Sequence, residues 1–273
     1  MFIDTPYLNL WKEFGKSLFG RRWGSTSLTA EMNSSTTQLM NILLEYAIEF
    51  DISDVRSQSF ELFKTAYEQC ISNGTITCER LPIDPDRISH ILCGAVKHNP
   101  SYAFTNLLSY ARDFRLMFPD SFSHQEILHY GLSCVENEAM LEEYIQEILQ
   151  ILGDPNKPAR LSYYPIDCLN KNHLASDVMA SYLVKYGVTT ENSILFGIFG
   201  RTMVENWNSP ERRNQLAEIE ETVRSFGMYS HFLHQFDFDI SAMKGIVEKN
   251  EKDRDLDLES MATYFRQYLR DAA

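Results

Sequence analysis

Two histidines spaced three apart, His231 and His234, are followed closely by Asp237 and Asp239. On a helix this spacing sets the imidazoles side by side, and a carboxylate could complete a metal set. The intervening Phe232 and Leu233 fit a helix end with polar residues facing water, which is the simpler reading. No metal is therefore expected, with His231 and His234 as the weak alternative, and no cofactor. Asp253, Asp255 and Asp257 begin like a calcium loop, but Leu258 stands at the glycine position and Tyr264 where the bidentate glutamate belongs. They read instead as a solvated, charged lead-in to a helix.

Gly197 and Gly200 bracket an apolar pair without the Lys-Ser/Thr sequel of a phosphate loop, so close helix packing explains them better. His124 and His129 are five apart and do not share a helical face neatly. The sequence contains no G-x-S-x-G, no H-E-x-x-H and no kinase element. A catalytic site assembled from distant segments stays open.

Charge narrows the partners. With 25 Lys plus Arg against 38 Asp plus Glu the net charge is −13, which repels phosphate backbones and anionic membranes. A protein partner with a basic surface is expected, and no nucleic acid. No stretch approaches the roughly 18 apolar residues of a membrane span, and the first twenty residues lack the continuous apolar core of a secretory signal. The five cysteines, Cys70, Cys78, Cys93, Cys134 and Cys168, are odd in number and widely spaced, with no CxxC pair, so they read as reduced core residues of a cytoplasmic protein.

The elements that must position any site are helical. Residues 1–24 form an amphipathic arm with Tyr7, Trp11, Phe14 and Leu18 on one face, residues 25–37 a Ser/Thr-rich linker, and residues 38–273 the helical body. Any subdivision falls near 156–171, an irregular stretch containing Pro158, Pro165 and the pair Tyr163 and Tyr164. Asp84 and Pro85 read as an N-cap and first helical residue, Ser123 with Glu126 as a capping box, and Asn73 with Gly74 as a left-handed helix end. The clearest helical period is Leu141, Tyr144, Ile145, Ile148 and Leu152. The fold class is all-α, stacked helical hairpins numbering about a dozen helices, either a solenoid or an irregular bundle.

The stretch Leu92-x-x-Ala95 with Pro100 resembles the second half of a tetratricopeptide repeat, whose small residues allow close helix packing. The acidic run Glu248 to Glu259 resembles C-terminal stretches of effectors exported by intracellular bacterial pathogens. Together these imply a protein-binding helical-repeat module, an effector or a regulator that restrains another effector or toxin, working in a host cytosol. Trp11, Phe14, Tyr163 and Tyr164 are the candidate aromatic anchors, and Asp253, Asp255 and Asp257 the steering charges. The alternative is an enzyme whose site lies between helices without a motif.

Overall fold

In a computed structural model of the chain, the structure describes residues 7–23, 34–52, 54–152, 159–169, 172, 174–186, 204, 207, 210–225 and 240–272. Among these, eleven helices and one two-residue hairpin account for almost all regular structure. The helices are α1 (Leu8–Trp23), α2 (Ser34–Glu49), α3 (Val55–Cys70), α4 (Ile88–His98), α5 (Pro100–Met117), α6 (Phe122–Ser133), α7 (Glu138–Leu152), α8 (Ala159–Leu169), α9 (Ala175–Tyr186), α10 (Pro210–Ser225) and α11 (Ile240–Ala272). Strands β1 (Ile71–Ser72) and β2 (Thr75–Ile76) pair antiparallel between α3 and α4. The protein is all-α. It divides into two compact units, one built on Leu10–Asn137 with the end of α11 from Tyr268, the other on Glu138–Gln267.

The first unit is organised around α4. Seven of its residues are buried in succession or nearly so, Ile88 and then Ile91, Leu92, Cys93, Gly94, Ala95 and Val96, because neighbours cover it on several sides: α3, α6, α5 and α2. Two glycines set how close those neighbours come. A Cβ on Gly94 would lie 2.7 Å from the Ser59 hydroxyl oxygen of α3, and one on Gly131 of α6 would lie 2.7 Å from the Leu92 Cβ. The amphipathic α1 docks on the same unit, with Trp11 and Phe19 packed against a cluster that contains Leu44, Ala47, Ile48 and Phe50.

Several local expectations change here. Asn73 and Gly74 do follow α3, but with φ of 51° and 77° they are the central residues of a hairpin turn, where two successive left-handed residues match the strand twist. Asp84 and Pro85 form a turn before α4 instead of starting it: the Asp84 carbonyl accepts the amides of Arg87 at 3.1 Å and Ile88 at 2.9 Å. Helix α5 begins at Pro100 itself, capped by the Asn99 side chain, which accepts the Tyr102 amide at 3.2 Å. Helix α6 starts at Phe122, so Ser123 lies inside it and the Ser123/Glu126 capping box does not form.

The cysteines differ most. Cys70 and Cys78 are joined by a disulfide, and so are Cys93 and Cys134, while Cys168 is free and buried. Wide sequence spacing had argued for reduced thiols, but helical packing brings the Cys93 and Cys134 Cα atoms to 5.2 Å and the hairpin brings those of Cys70 and Cys78 to 5.1 Å.

In the second unit α7 buries Leu141, Tyr144, Ile145 and Ile148 completely, as its period requires. It meets α8 and α9, and α9 meets α10. Much of the stretch read as irregular is α8, with Pro165 inside it. A proline removes one helical hydrogen bond and breaks most helix patterns, yet Ile166, Cys168 and Leu169 are buried and hold the segment. Residues 156–158, 170 and 171 of the same stretch lie outside the described residues. The C-terminal segment is one helix of 33 residues, α11, so the acidic run is helix interior rather than a lead-in. Between α9 and α10, Asp177 accepts a hydrogen bond from Arg212 at 2.6 Å, and the guanidinium lies 5.6 Å from the ring centre of the buried Trp207.

The two disulfides close loops of different length, 8 and 41 residues. Chain-entropy arguments then give about 2.5 kcal/mol for the shorter and about 4 kcal/mol for the longer. Urea unfolding of Cys70→Ser/Cys78→Ser and Cys93→Ser/Cys134→Ser should show the second pair as the more destabilised. The opposite order would show that loop entropy does not set their contribution.

Candidate functional site

Among the described residues no group of three or more His, Cys, Asp or Glu could hold a metal. A groove of about 360 Å³ lies in the first unit between α3 and the segment leading into α4. One wall is the α3 face made by Leu62, Thr65, Ala66 and Gln69, which repeat at three- and four-residue intervals and so lie along one side. The other is Pro82, Ile83, Asp84, Arg87 and, from α4, Ile91.

The second wall has little secondary structure and depends on side-chain and backbone anchors. The hairpin reverses the chain, and the Cys70 to Cys78 disulfide fixes its exit against the end of α3. The Cys70 carbonyl accepts the Thr77 amide at 2.8 Å and its hydroxyl at 3.0 Å. The buried Tyr110 of α5 donates its hydroxyl to the Cys78 carbonyl at 3.3 Å, and burial pushes its pKa up to about 12, so the donor stays protonated. The Asp84 carboxylate accepts the Asp86 amide at 3.0 Å.

Arg87 gives the groove its chemistry. Its side chain is 6% exposed and its Nε lies 3.4 Å from an Asp84 carboxylate oxygen, whereas Asp84 is 47% exposed. A guanidinium does not deprotonate, so its burial demands anionic compensation. The site therefore presents a buried cation and a solvent-facing anion side by side, between aliphatic walls.

The residues singled out from sequence whose side chains are described do not line this groove. Trp11 sits 5.2 Å from Phe50 and 5.9 Å from Phe14, ring centre to ring centre, and Phe14 is buried with its ring 4.9 Å from Tyr268. Tyr164 is half-buried in α8. The side chains of Tyr163, Asp253, Asp255 and Asp257 lie outside what is described, as do His231 and His234 altogether. Sequence reasoning missed the groove because Asp84 was assigned to a helix cap and Arg87 carried no motif. The usable signal was Asn73-Gly74 between Ile71-Ser72 and Thr75-Ile76, a hairpin pattern flanked by Cys70 and Cys78.

The described residues thus form an all-α domain with a groove between α3 and the approach to α4. Residues 1–228 match the family described as the ERAP1-like C-terminal domain, and the chain belongs to that family. It is also 27% identical over 228 residues to a putative aminopeptidase-2 of Caenorhabditis elegans. That similarity covers 81% of this chain and 11% of the relative, so the chain spans about a tenth of the length of the curated relative it matches. These findings overturn the resemblance to tetratricopeptide repeats and to bacterial effectors. Leu92 and Ala95 are fully buried in α4, but close packing of small residues is common to many helix pairs and identifies no repeat. An acidic run is a composition shared by many unrelated chains.

Two histidines of α6, His124 and His129, are buried. His124 packs 4.8 Å from Phe114, ring centre to ring centre, and burial, helped by the charge of Arg80, pulls its pKa down to about 4. It is thus neutral near pH 7, as part of the core. The unfolded chain takes up a proton near the ordinary value of about 6.5, while the folded one refuses it until about 4. Stability should therefore fall as pH drops through that window and be unaffected above it. Urea midpoints at pH 7 and 4.5 should show wild type losing on the order of 2 kcal/mol more than His124→Leu. Equal losses in the two proteins would rule out His124 as a source of the acid sensitivity.

Proposed function

We propose that the chain is a non-catalytic helical domain of an aminopeptidase-like protein and that it binds peptide or protein instead of cleaving it. The observation that carries this reading is the family match across residues 1–228 in a sequence without H-E-x-x-H. That motif sets two histidines on one helical face to bind zinc, with the glutamate as base, and the present chain has no equivalent in its sequence. A protein of this family therefore supports the enzyme-related alternative while leaving bond cleavage to another part of such an enzyme. The net charge of −13 favours basic peptides as partners, since exposed carboxylates accelerate encounter with cations. No helix among the described residues is long and apolar enough to cross a membrane. The two disulfides favour an oxidising compartment over the cytoplasm, where thiols are kept reduced.

The test uses the purified chain, zinc analysis and a panel of fluorogenic aminoacyl substrates. The expected result is no stoichiometric zinc and no hydrolysis above the blank. Hydrolysis that follows one bound zinc per chain, and disappears on chelation, would make the chain an enzyme in its own right.

A further inference from the structure

The Arg87 and Asp84 pair lies in a different setting from the pairs of Arg56 and Lys97. Arg56 and Lys97 also meet carboxylates, but they tie helices together: Lys97 of α4 bridges Glu49 at 3.0 Å and Glu136 at 2.9 Å. Arg87 instead lines a cavity, beneath Asp84 at the solvent side and between Leu62, Ala66, Ile83 and Ile91. A cation and an anion 3.4 Å apart in an aliphatic groove match a ligand with both charges on one carbon. Such a ligand replaces the internal pair by two crossed pairs, its carboxylate on Arg87 and its ammonium on Asp84. Arg favours this arrangement because its planar fork matches a carboxylate.

Size and net charge agree. A volume of about 360 Å³ is near the lower end for small-molecule sites, on the order of 300 to 1,000 Å³, which suits one amino acid better than a length of peptide. A zwitterion has no net charge, so the −13 of the protein does not oppose its approach. Ala66 and Ile91 are buried and Leu62 and Ile83 half-buried, leaving an apolar lining for an aliphatic side chain.

We infer that this groove is a binding site for a free aliphatic α-amino acid, held by Arg87 and Asp84. The choice of ligand rests on the proposed aminopeptidase relationship, because an aminopeptidase releases free amino acids. The domain then senses the product of the reaction carried out elsewhere in such an enzyme.

The experiment is calorimetric titration of the full chain, disulfides intact, with L-leucine, N-acetyl-L-leucine, L-leucinamide and the dipeptide Leu-Leu. L-Leucine should saturate one site. The acetylated and amidated forms each lose one charged contact and should bind about tenfold more weakly or worse. Asp84→Asn, at a half-exposed position, should weaken leucine by a similar factor while circular dichroism stays unchanged. Should that variant misfold, the ligand series on the wild type decides alone. No leucine binding at millimolar concentration, or equal binding of leucine and its capped forms, would overturn the assignment. Leu-Leu binding as tightly as leucine would also overturn it and give the groove to peptide ends. None of these outcomes touches the non-catalytic reading, which stands or falls on zinc and hydrolysis.

Discussion

The first unit depends on the burial of α4. A helix surrounded by α3, α5 and α6 can carry almost no polar side chain, and it can approach its neighbours only where they lack bulk. Gly94 against Ser59 and Gly131 against Leu92 provide those approaches, and the Cys93 to Cys134 disulfide joins α4 to the end of α6. Its polar residues fall at the ends. Arg87 precedes the helix, while Lys97 and His98 occupy its last turn, where cations complement the carbonyl end of the helix dipole. The interior of α4 thus leaves no place for chemistry, and the groove forms at its entrance.

That placement explains the covalent support of the groove. The segment from Thr77 to Asp86 has no helix or sheet ladder of its own, and such a wall would ordinarily be mobile. The hairpin turn, the Cys70 to Cys78 disulfide and the Tyr110 hydroxyl hold it against α3 and α5. The same anchors set Asp84 in a turn whose carbonyl accepts the first amides of α4, which fixes its carboxylate beside Arg87. A single turn therefore starts the helix and positions an ion pair.

The helical class was legible because apolar periodicity directly reflects burial. The stripe of Leu141, Tyr144, Ile145 and Ile148 is wholly buried, and Phe104, Leu107, Leu108, Ala111 and Phe114 cover one face of α5. Punctuation was less legible because one residue type serves several local geometries. Asn-Gly ends helices and also turns hairpins, and only the alternation around it separates the two. Pro165 read as a breaker, although burial of Ile166 and Leu169 outweighs its missing hydrogen bond. The disulfides and the groove were illegible for a different reason. Cys93 and Cys134 are 41 residues apart, and Leu62 and Ile91 face one cavity from different helices, so neither relation exists before the helices pack.

Family membership and site chemistry answer separate questions. The family assignment rests on similarity along residues 1–228 and gives a relationship to aminopeptidases, whereas the absence of a zinc motif concerns what this stretch can do by itself. A binding site needs no catalytic motif. Arg87 loses its hydration when the chain folds, with Asp84 as one of its partners. On the proposed reading, a ligand carboxylate entering the groove meets a charge whose desolvation has already been met in folding.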